Sequence, residues 1–250
     1  MALHKKWDLL ASLQADVVVA QECAAPEILV KAGFRFDDQT ACWVKPYLGS
    51  ANKGLGVFAA PGWSLRVPPV YQELLERWSD RLDLILPVEV SGPIRFNLLA
   101  VWSFNNRQRK DKRRIEGPVL LALQELNAWM RETPTVVIGD FNHNVIWDTK
   151  TGKNNFQTAI ERLEARGLRS AYHELRGEAF GKESVPTHYW RDIKEDGPTY
   201  HIDYAFVPTD WLEKCQHFEV GSFTEWCGSE KSDHVPLILE CRLTDEGELG

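Results

Sequence analysis

Two segments of the sequence place a carboxylate directly after an apolar run. Glu22 follows the run from Asp16 to Gln21, and Asp140 follows the run from Thr135 to Gly139. In open α/β sheets, polar groups just beyond strand ends line the crevice where ligands bind, so Glu22 could hold a cation or a substrate. The simpler alternative is that Glu22 caps a helix or lies in solvent.

Asn142 follows Asp140 by two residues, on a loop where Gly139 allows the backbone to turn. The aspartate can orient a water molecule and the asparagine can donate to a phosphate oxygen, a combination suited to hydrolysis at phosphorus. The alternative is an Asx turn, in which both side chains bond only the local backbone. The motif therefore favours either a hydrolytic site or a turn.

Two later segments add an imidazole and two more carboxylates. Period-2 alternation along residues 201–207 puts Asp203 on the face away from the bulkiest side chains, where it could orient an imidazole. Asp233 and His234 precede the last predicted strand, and they offer a metal ligand and a group that titrates near neutrality. His234 is therefore the best candidate for acid–base catalysis.

Taken in their order along the chain, these motifs resemble those of the endonuclease/exonuclease/phosphatase superfamily, the fold group of deoxyribonuclease I and exonuclease III. The resemblance rests on segments 16–22, 139–142, 201–204 and 232–236, so it spans nearly the whole chain. It implies an α/β fold, a four-layer α-β-β-α sandwich in which two mixed β-sheets pack face to face and helices lie outside.

The resemblance also implies which residues take part in catalysis and metal binding, and which reaction the protein catalyses. The catalytic residues would be Asp140, Asn142, Asp203 and His234. The metal ligands would be Glu22 and Asp233, for Mg²⁺ or, as a replacement, Mn²⁺. The expected activity is metal-dependent hydrolysis of a phosphodiester, with nucleic acid as one candidate substrate. The alternatives are a phosphomonoesterase or a lipid or inositol phosphate phosphatase of the same fold, and a binding protein without turnover.

The start of the chain departs from this resemblance. Members of the superfamily begin with a strand that carries an Asn near the metal, whereas this sequence begins with a helical pattern at residues 3–13. We expect the chain to start at an internal methionine or to be truncated, with upstream sequence supplying the strand. Its absence should leave a groove or two open strand edges and should lower stability and magnesium affinity.

A second departure concerns the substrate side of the site. Members carry a polar His or Tyr at the end of a hairpin strand, where this sequence has Trp102. An indole donates a hydrogen bond but accepts none, so Trp102 could contact a phosphate but could not act as an acid or base. Asn105 could supply the polar contact instead. The alternative for Trp102 is core packing.

Arg107 and Arg109 are further candidates for substrate binding. They belong to the run 107–114, which carries six basic residues and one acid, whereas 23 basic and 35 acidic residues lie elsewhere. This run could therefore grip a polyanionic substrate. The alternative is a solvated helix start. His188 lies in a loop near Asp203 and is not included in the site, because a loop histidine more often has no function.

The elements that must position these residues alternate along the chain. Apolar spacing predicts helices at 3–13, 115–131 and 156–166. It predicts strands at 16–21, 33–37, 41–45, 54–60, 82–90, 94–104, 135–139, 201–207 and 235–241. A short turn containing Gly92 joins strands 82–90 and 94–104, which predicts an antiparallel hairpin.

Length and composition narrow the class of protein. The chain has 250 residues, of which 44% are hydrophobic and 26% charged, and a formal charge of −7. It has no linker-like segment, so we expect one domain over residues 1–250 with a frayed tail at 244–250. No apolar run is long enough for a membrane span or a signal peptide, which indicates a cytoplasmic protein. The five cysteines lie far apart and form no Cys-x-x-Cys pair, so we expect reduced, mostly buried thiols. No protein partner can be inferred from the sequence.

Overall fold

The computed structural model describes residues 7–35, 37–46, 52–82, 84–103, 117–152, 154–190, 194–228 and 232–243. The α-helices in these ranges are α1 (Trp7–Ser12), α2 (Pro26–Lys31), α3 (Pro69–Leu82), α4 (Pro118–Glu125), α5 (Phe156–Glu164), α6 (Ala171–Arg176), α7 (Thr209–Glu213) and α8 (Phe223–Trp226). Two 3₁₀ helices cover Trp129–Arg131 and Val145–Trp147.

The strands are β1 (Val17–Ala24), β2 (Ala41–Val44), β3 (Lys53–Ala59), β4 (Ser64–Arg66), β5 (Ile85–Ser91), β6 (Arg95–Trp102), β7 (Thr135–Asp140), β8 (Leu168–Ser170), β9 (His188–Tyr189), β10 (Thr199–Tyr200), β11 (Asp203–Pro208), β12 (Cys215–Val220) and β13 (Leu237–Cys241).

A six-stranded mixed sheet with the order β4-β5-β6-β7-β11-β8 forms the centre of the fold. Only β6 and β7 run parallel within it. Strand β6 is buried at every position after its first residue, because both faces of this sheet are covered. Leu99 and Val101 face one core, which includes α4 and α5, while Leu98 and Ala100 face a second core.

The second core joins the central sheet to two smaller antiparallel sheets. One has the order β1-β3-β2 and the other pairs β12 with β13. Val19 from β1 and Leu239 from β13 pack into this core. On the outer side of β1, Leu10 of α1 and Leu29 of α2 pack with Ala20. The layers are therefore helix, sheet, sheet and helix, as expected, but among the described sheets of more than two strands only the central one is mixed.

A groove separates the two parts of the second sheet layer. Among the described strands, β1 pairs only with β3 and β13 pairs only with β12, so each has one unpaired edge. The cavity of about 700 Å³ between them has a floor that includes Phe96, Leu98 and Ile138 of the central sheet. Its lining extends to Asp203 and His234.

Most of the predicted strands and the hairpin of β5 and β6 are confirmed, with ends that shift by at most three residues. The strand at 33–37 is wrong, because Gly33 has φ +92° and Phe34 N–H bonds back to Leu29 at the end of α2. Residue 36 lies outside the described ranges. Helix α3 has no counterpart among the predicted elements.

The predicted helix 115–131 is shorter than its apolar pattern. It ends as α4 at Glu125, and a turn and a 3₁₀ helix follow. Asn97 Nδ2 donates to the Trp129 carbonyl at 2.8 Å, and Thr135 Oγ1 donates to the Met130 carbonyl at 2.9 Å. These bonds tie the last carbonyls to the central sheet, so tertiary contacts set the end of this segment.

No helix in the described part of the chain is both long and apolar enough to cross a membrane.

All five cysteines are free. Cys23, Cys42 and Cys227 are buried, and Cys215 and Cys241 are half-buried. These observations agree with the expectation of reduced, mostly buried thiols.

Candidate active site

Two aspartates face each other at one end of the central sheet. Antiparallel pairing of β7 with β11 places Asp140 opposite Asp203, and both are buried, with 3% and 8% exposure. Burial raises the pKa of Asp140 well above its usual range, and the carboxylate of Asp203 raises it further. This end of the sheet therefore holds two carboxyl groups out of contact with water.

His234 lies against this pair. Its Nδ1 is 2.9 Å from Oδ2 of Asp203, and its backbone N–H donates to Ser232 Oγ at 3.0 Å. Burial alone would lower the pKa of the imidazole, but Asp203, Asp140 and Asp233 outweigh it and raise the pKa to about 10. At neutral pH the ring is a cation that partly offsets the aspartates.

Asn142 binds Asp140 directly. Its backbone N–H and its side-chain Nδ2 donate to the two carboxylate oxygens of Asp140, both at 2.7 Å. Asn142 has φ +47°, a left-handed conformation that Asn tolerates better than most residues. The structure therefore contains the turn that the sequence offers as one alternative, and a catalytic role for Asp140 and Asn142 stays a prediction.

Glu22 occupies a bulge near the end of β1. The pairing of β1 with β3 shifts register between Ala20 and Cys23, and Glu22 has φ +50°. A β-bulge leaves residues out of the strand pairing and changes the direction of a side chain. Here that side chain belongs to Glu22, near the end of β1. The Glu22 carboxylate is about half exposed and forms an ion pair with Lys53 of β3. Burial tends to raise the pKa of the Glu22 carboxyl, but the hydrogen bond from Lys53 contributes to a net lowering of that pKa.

Gln21 brings the end of β1 onto the end of β7. Its Nε2 donates to the Val101 carbonyl at 3.4 Å, and a Cβ atom on Gly139 would lie 2.8 Å from that Nε2. Only glycine fits at position 139, which also has φ +141°. The next residues on the two strands are Glu22 and Asp140, so this contact directs both to the same end of the molecule.

Asp233 lies on the outer side of His234 with 55% of its side chain exposed. His188 Nε2 is 3.6 Å from Asp233 Oδ2, and this imidazole lowers the pKa of the carboxyl, with a further lowering from His234. His188 is not among the site residues predicted from the sequence. The signal that could have found it is the pairing of segments 187–189 and 233–235, which sequence spacing does not show.

Of the four residues predicted to contact substrate, the structure describes only Trp102. Trp102 is buried, with 6% exposure, in the apolar core that also contains Leu98 and Ala100. This is the packing alternative, and substrate contact by Trp102 stays a prediction. Asn105, Arg107 and Arg109 lie outside the described residues.

Two sets of side chains have a metal-binding arrangement among the described residues. Within each set one ligand atom of each member lies within 4.8 Å of the others, and the sets are Asp140, Asp203, His234 and His188, Asp233, His234. A divalent cation fits the first set because Asp140 and Asp203 are buried opposite each other, where a bound cation would offset the charge of their carboxylates. Glu22 belongs to neither set, and its grouping with Asp233 as a metal pair stays a prediction.

A buried polar network holds the floor of the site. Thr187, which is fully buried, accepts from the backbone N–H groups of Ile202 and Asp203 through Oγ1, at 3.0 and 3.1 Å. Asn144 Nδ2 donates to the His201 carbonyl at 3.0 Å and to a carboxylate oxygen of Glu183 at 3.3 Å. These residues fix the start of β11 and therefore the position of Asp203.

Comparison with solved structures identifies this architecture. A variant of the 3′ phosphatase NExo from Neisseria, bound to a product DNA hairpin, superposes with TM-score 0.65 at 15% identity, over 97% of this chain and 96% of that chain. The catalytic domain of APE2 from Xenopus laevis gives 0.66 at 14% identity, over 96% and 88%. An AP endonuclease from Archaeoglobus fulgidus gives 0.61 at 15% identity, over 96% and 94%.

The chain therefore shares the fold of these solved nucleases and phosphatases. No family model and no curated protein sequence matches it. The fold that the sequence motifs imply is therefore confirmed by three-dimensional similarity. At this low sequence identity, the similarity establishes the architecture and nothing further.

Proposed function

We propose that the protein is a divalent-metal-dependent phosphodiesterase that acts on nucleic acid. The observation that carries the proposal is the close set of Asp140, Asp203 and His234, with Asn142 bound to the first of them. The solved structures with this fold include a 3′ phosphatase with product DNA and an AP endonuclease, which supports nucleic acid as the substrate class.

Asp140 is the candidate base. Its raised pKa makes it a stronger proton acceptor than an ordinary carboxylate, and its oxygens are held by Asn142. It would take a proton from the attacking water. Asn142 uses one N–H of its amide on Asp140, and the second can donate to a phosphate oxygen.

His234 would stabilise the charge that develops on the phosphate. Asp203 holds Nδ1, so Nε2 is the ring atom that can donate to a non-bridging oxygen. Mg²⁺, when bound by the carboxylates of Asp140 and Asp203 together with Glu22 or Asp233, supplies positive charge that polarises the phosphate. The residues present fit such an ion because most of their donor atoms are carboxylate oxygens, which suit Mg²⁺.

The test is a substrate panel. Single-stranded, duplex and abasic DNA, a DNA hairpin with a 3′ phosphate, RNA, an inositol phosphate and a simple diester are each incubated with Mg²⁺, with Mn²⁺ and with EDTA. We expect cleavage of a nucleic acid that EDTA abolishes. Asp140→Asn and His234→Ala, purified in parallel, should each lower turnover at least ~10²-fold, which also excludes a contaminating nuclease. Full activity in EDTA would contradict the proposal.

One observation favours a binding protein without turnover as the second candidate. Lys53 occupies an oxygen of Glu22, the residue that the resemblance assigns to the metal. On this hypothesis the protein would bind DNA with the same affinity in Mg²⁺ and in EDTA and would cleave nothing in the panel. Lys53→Ala separates the two, because it should raise Mg²⁺ affinity and activity only if Glu22 is a metal ligand.

A further inference from the structure

His188 forms a compact group with Asp233 and His234 that the proposed mechanism does not explain. Its ring centroid lies 4.4 Å from that of His234, and its Nε2 lies 3.6 Å from Asp233 Oδ2. Its Nδ1 is buried and has no hydrogen-bond partner in the described part of the chain. A histidine held for packing alone normally has its buried nitrogens bonded, so this ring calls for another role.

The backbone fixes the three side chains relative to one another. His188 and His234 are opposite each other in an isolated antiparallel bridge. Tyr189 N–H donates to the Asp233 carbonyl at 2.7 Å, and Val235 N–H donates to the Thr187 carbonyl at 2.9 Å. The ligand atoms are therefore brought together by paired backbone segments rather than by loose side chains, which is what a preformed site requires.

The donor set differs in chemistry from the carboxylates of the proposed magnesium site. Two imidazoles and one carboxylate suit zinc and related transition-metal ions, whereas Mg²⁺ prefers oxygen donors. Asp203 bonds Nδ1 of His234, the arrangement in which a carboxylate orients a histidine that binds metal through its other nitrogen. That nitrogen is Nε2.

Charge and access also suit a divalent cation. Carboxylate oxygens of Asp140, Asp203 and Asp233 lie within 4.8 Å of a ring nitrogen of His234, and their negative charge attracts a doubly charged ion. Asp233 has 55% of its side chain exposed, which gives an ion a route from solvent, while the His188 side chain is only 12% exposed.

We propose that His188, Asp233 and His234 bind a transition-metal ion of the zinc class, and that this ion inhibits hydrolysis by occupying Nε2 of His234. The metal site stands on the geometry alone. The inhibition rests on the proposed function, because it requires that His234 act on the substrate phosphate.

The binding half of the proposal is tested with Co²⁺ as a spectroscopic probe, followed by displacement with Zn²⁺. We expect one equivalent of Co²⁺ with visible absorption typical of nitrogen and oxygen ligands and without a thiolate charge-transfer band. His188→Ala should weaken binding at least ~10-fold, and His188→Gln provides a second variant if the first unfolds. His217→Ala, which removes an exposed histidine beside Glu219, is the matched control and should change nothing.

The inhibitory half is tested on whichever substrate the panel identifies, with Mg²⁺ in excess. Zn²⁺ should inhibit the wild type at micromolar concentration and His188→Ala only at a concentration at least ~10-fold higher, each expressed relative to the turnover of the same protein without Zn²⁺. Equal Co²⁺ affinity of wild type and both His188 variants would overturn the site. Co²⁺ binding without any cleavage would leave the site standing and contradict the proposed function instead.

Discussion

Nδ1 of His234 lies 2.9 Å from Oδ2 of Asp203, across a sequence separation of 31 residues. The carboxylate accepts this hydrogen bond, so it fixes the orientation of the ring and favours its cationic form. Asp203 itself is held by Thr187 through its backbone N–H. Both residues are therefore held in place at the end of the central sheet, and in the proposed function Asp203 would act through His234 as a positioning residue.

Asp203→Asn should lower kcat by ~10²-fold or more while KM changes little, because the amide no longer favours the imidazolium. The pKa of His234, followed by NMR, should fall from about 10 toward its ordinary value. Asp210→Asn on the exposed surface of α7 is the control and should alter neither quantity. If kcat were lost while the His234 pKa stayed high, a positioning role for Asp203 would be wrong.

Charge reversal in the basic run tests its contact with substrate. Replacing Arg109, Lys110 and Arg113 by Glu should weaken binding of a nucleic acid and flatten the dependence of log Kd on log salt, since fewer counterions are released. Fluorescence anisotropy at several salt concentrations measures both effects. The matched control reverses Lys31, which is exposed at the end of α2. An unchanged slope would assign the run to a solvated helix start.

Some features of the site could be predicted because they are local in sequence. An apolar run that stops at a carboxylate identifies Asp140, and period-2 alternation places Asp203 on the face away from the bulkiest side chains. The same alternation fails at His201, whose ring packs against Tyr204 at 5.2 Å although the two are predicted on opposite faces. The reason is that β11 begins only at Asp203, so His201 precedes the regular strand.

Other features depend on partners distant in sequence. The bulge that redirects Glu22 arises from its register with β3, and the ion pair with Lys53 joins residues 31 positions apart. His188 reaches Asp233 only because two short segments pair across the site. The segment that follows α4 is held by Asn97 of the central sheet, which donates to the Trp129 carbonyl. Residue types alone carry no record of such long-range pairings.

Gly139→Ala should destabilise the protein by at least ~2 kcal/mol, because strain at a positive φ adds to a steric clash. A Cβ atom at this position would lie 2.0 Å from the Val101 carbonyl oxygen, and φ is +141°. Gly167→Ala is the matched control, since φ is +75° there and nothing lies within 4 Å of the added atom. It should cost only ~1 kcal/mol. Equal midpoints in urea for the two variants would contradict the close packing of β6 and β7 at the site.

The buried carboxylate of Glu183 should make stability depend on pH in the acid range. Burial alone would raise its pKa, but bonds from His173 Nε2, the Gly181 N–H and Asn144 outweigh this and lower the pKa to about 2. A folded-state pKa below the unfolded value of about 4.5 means that the stabilisation is complete above pH 5 and disappears as the pH falls toward 2. The shift corresponds to roughly 3 kcal/mol.

Glu183→Gln should therefore be less stable at pH 7 by about this amount and should lose less stability than the wild type between pH 5 and pH 2, as measured by urea unfolding. Glu174→Gln, at an exposed position on α6, should follow the wild-type pH profile, whereas parallel profiles for wild type and Glu183→Gln would show that another carboxylate dominates acid unfolding.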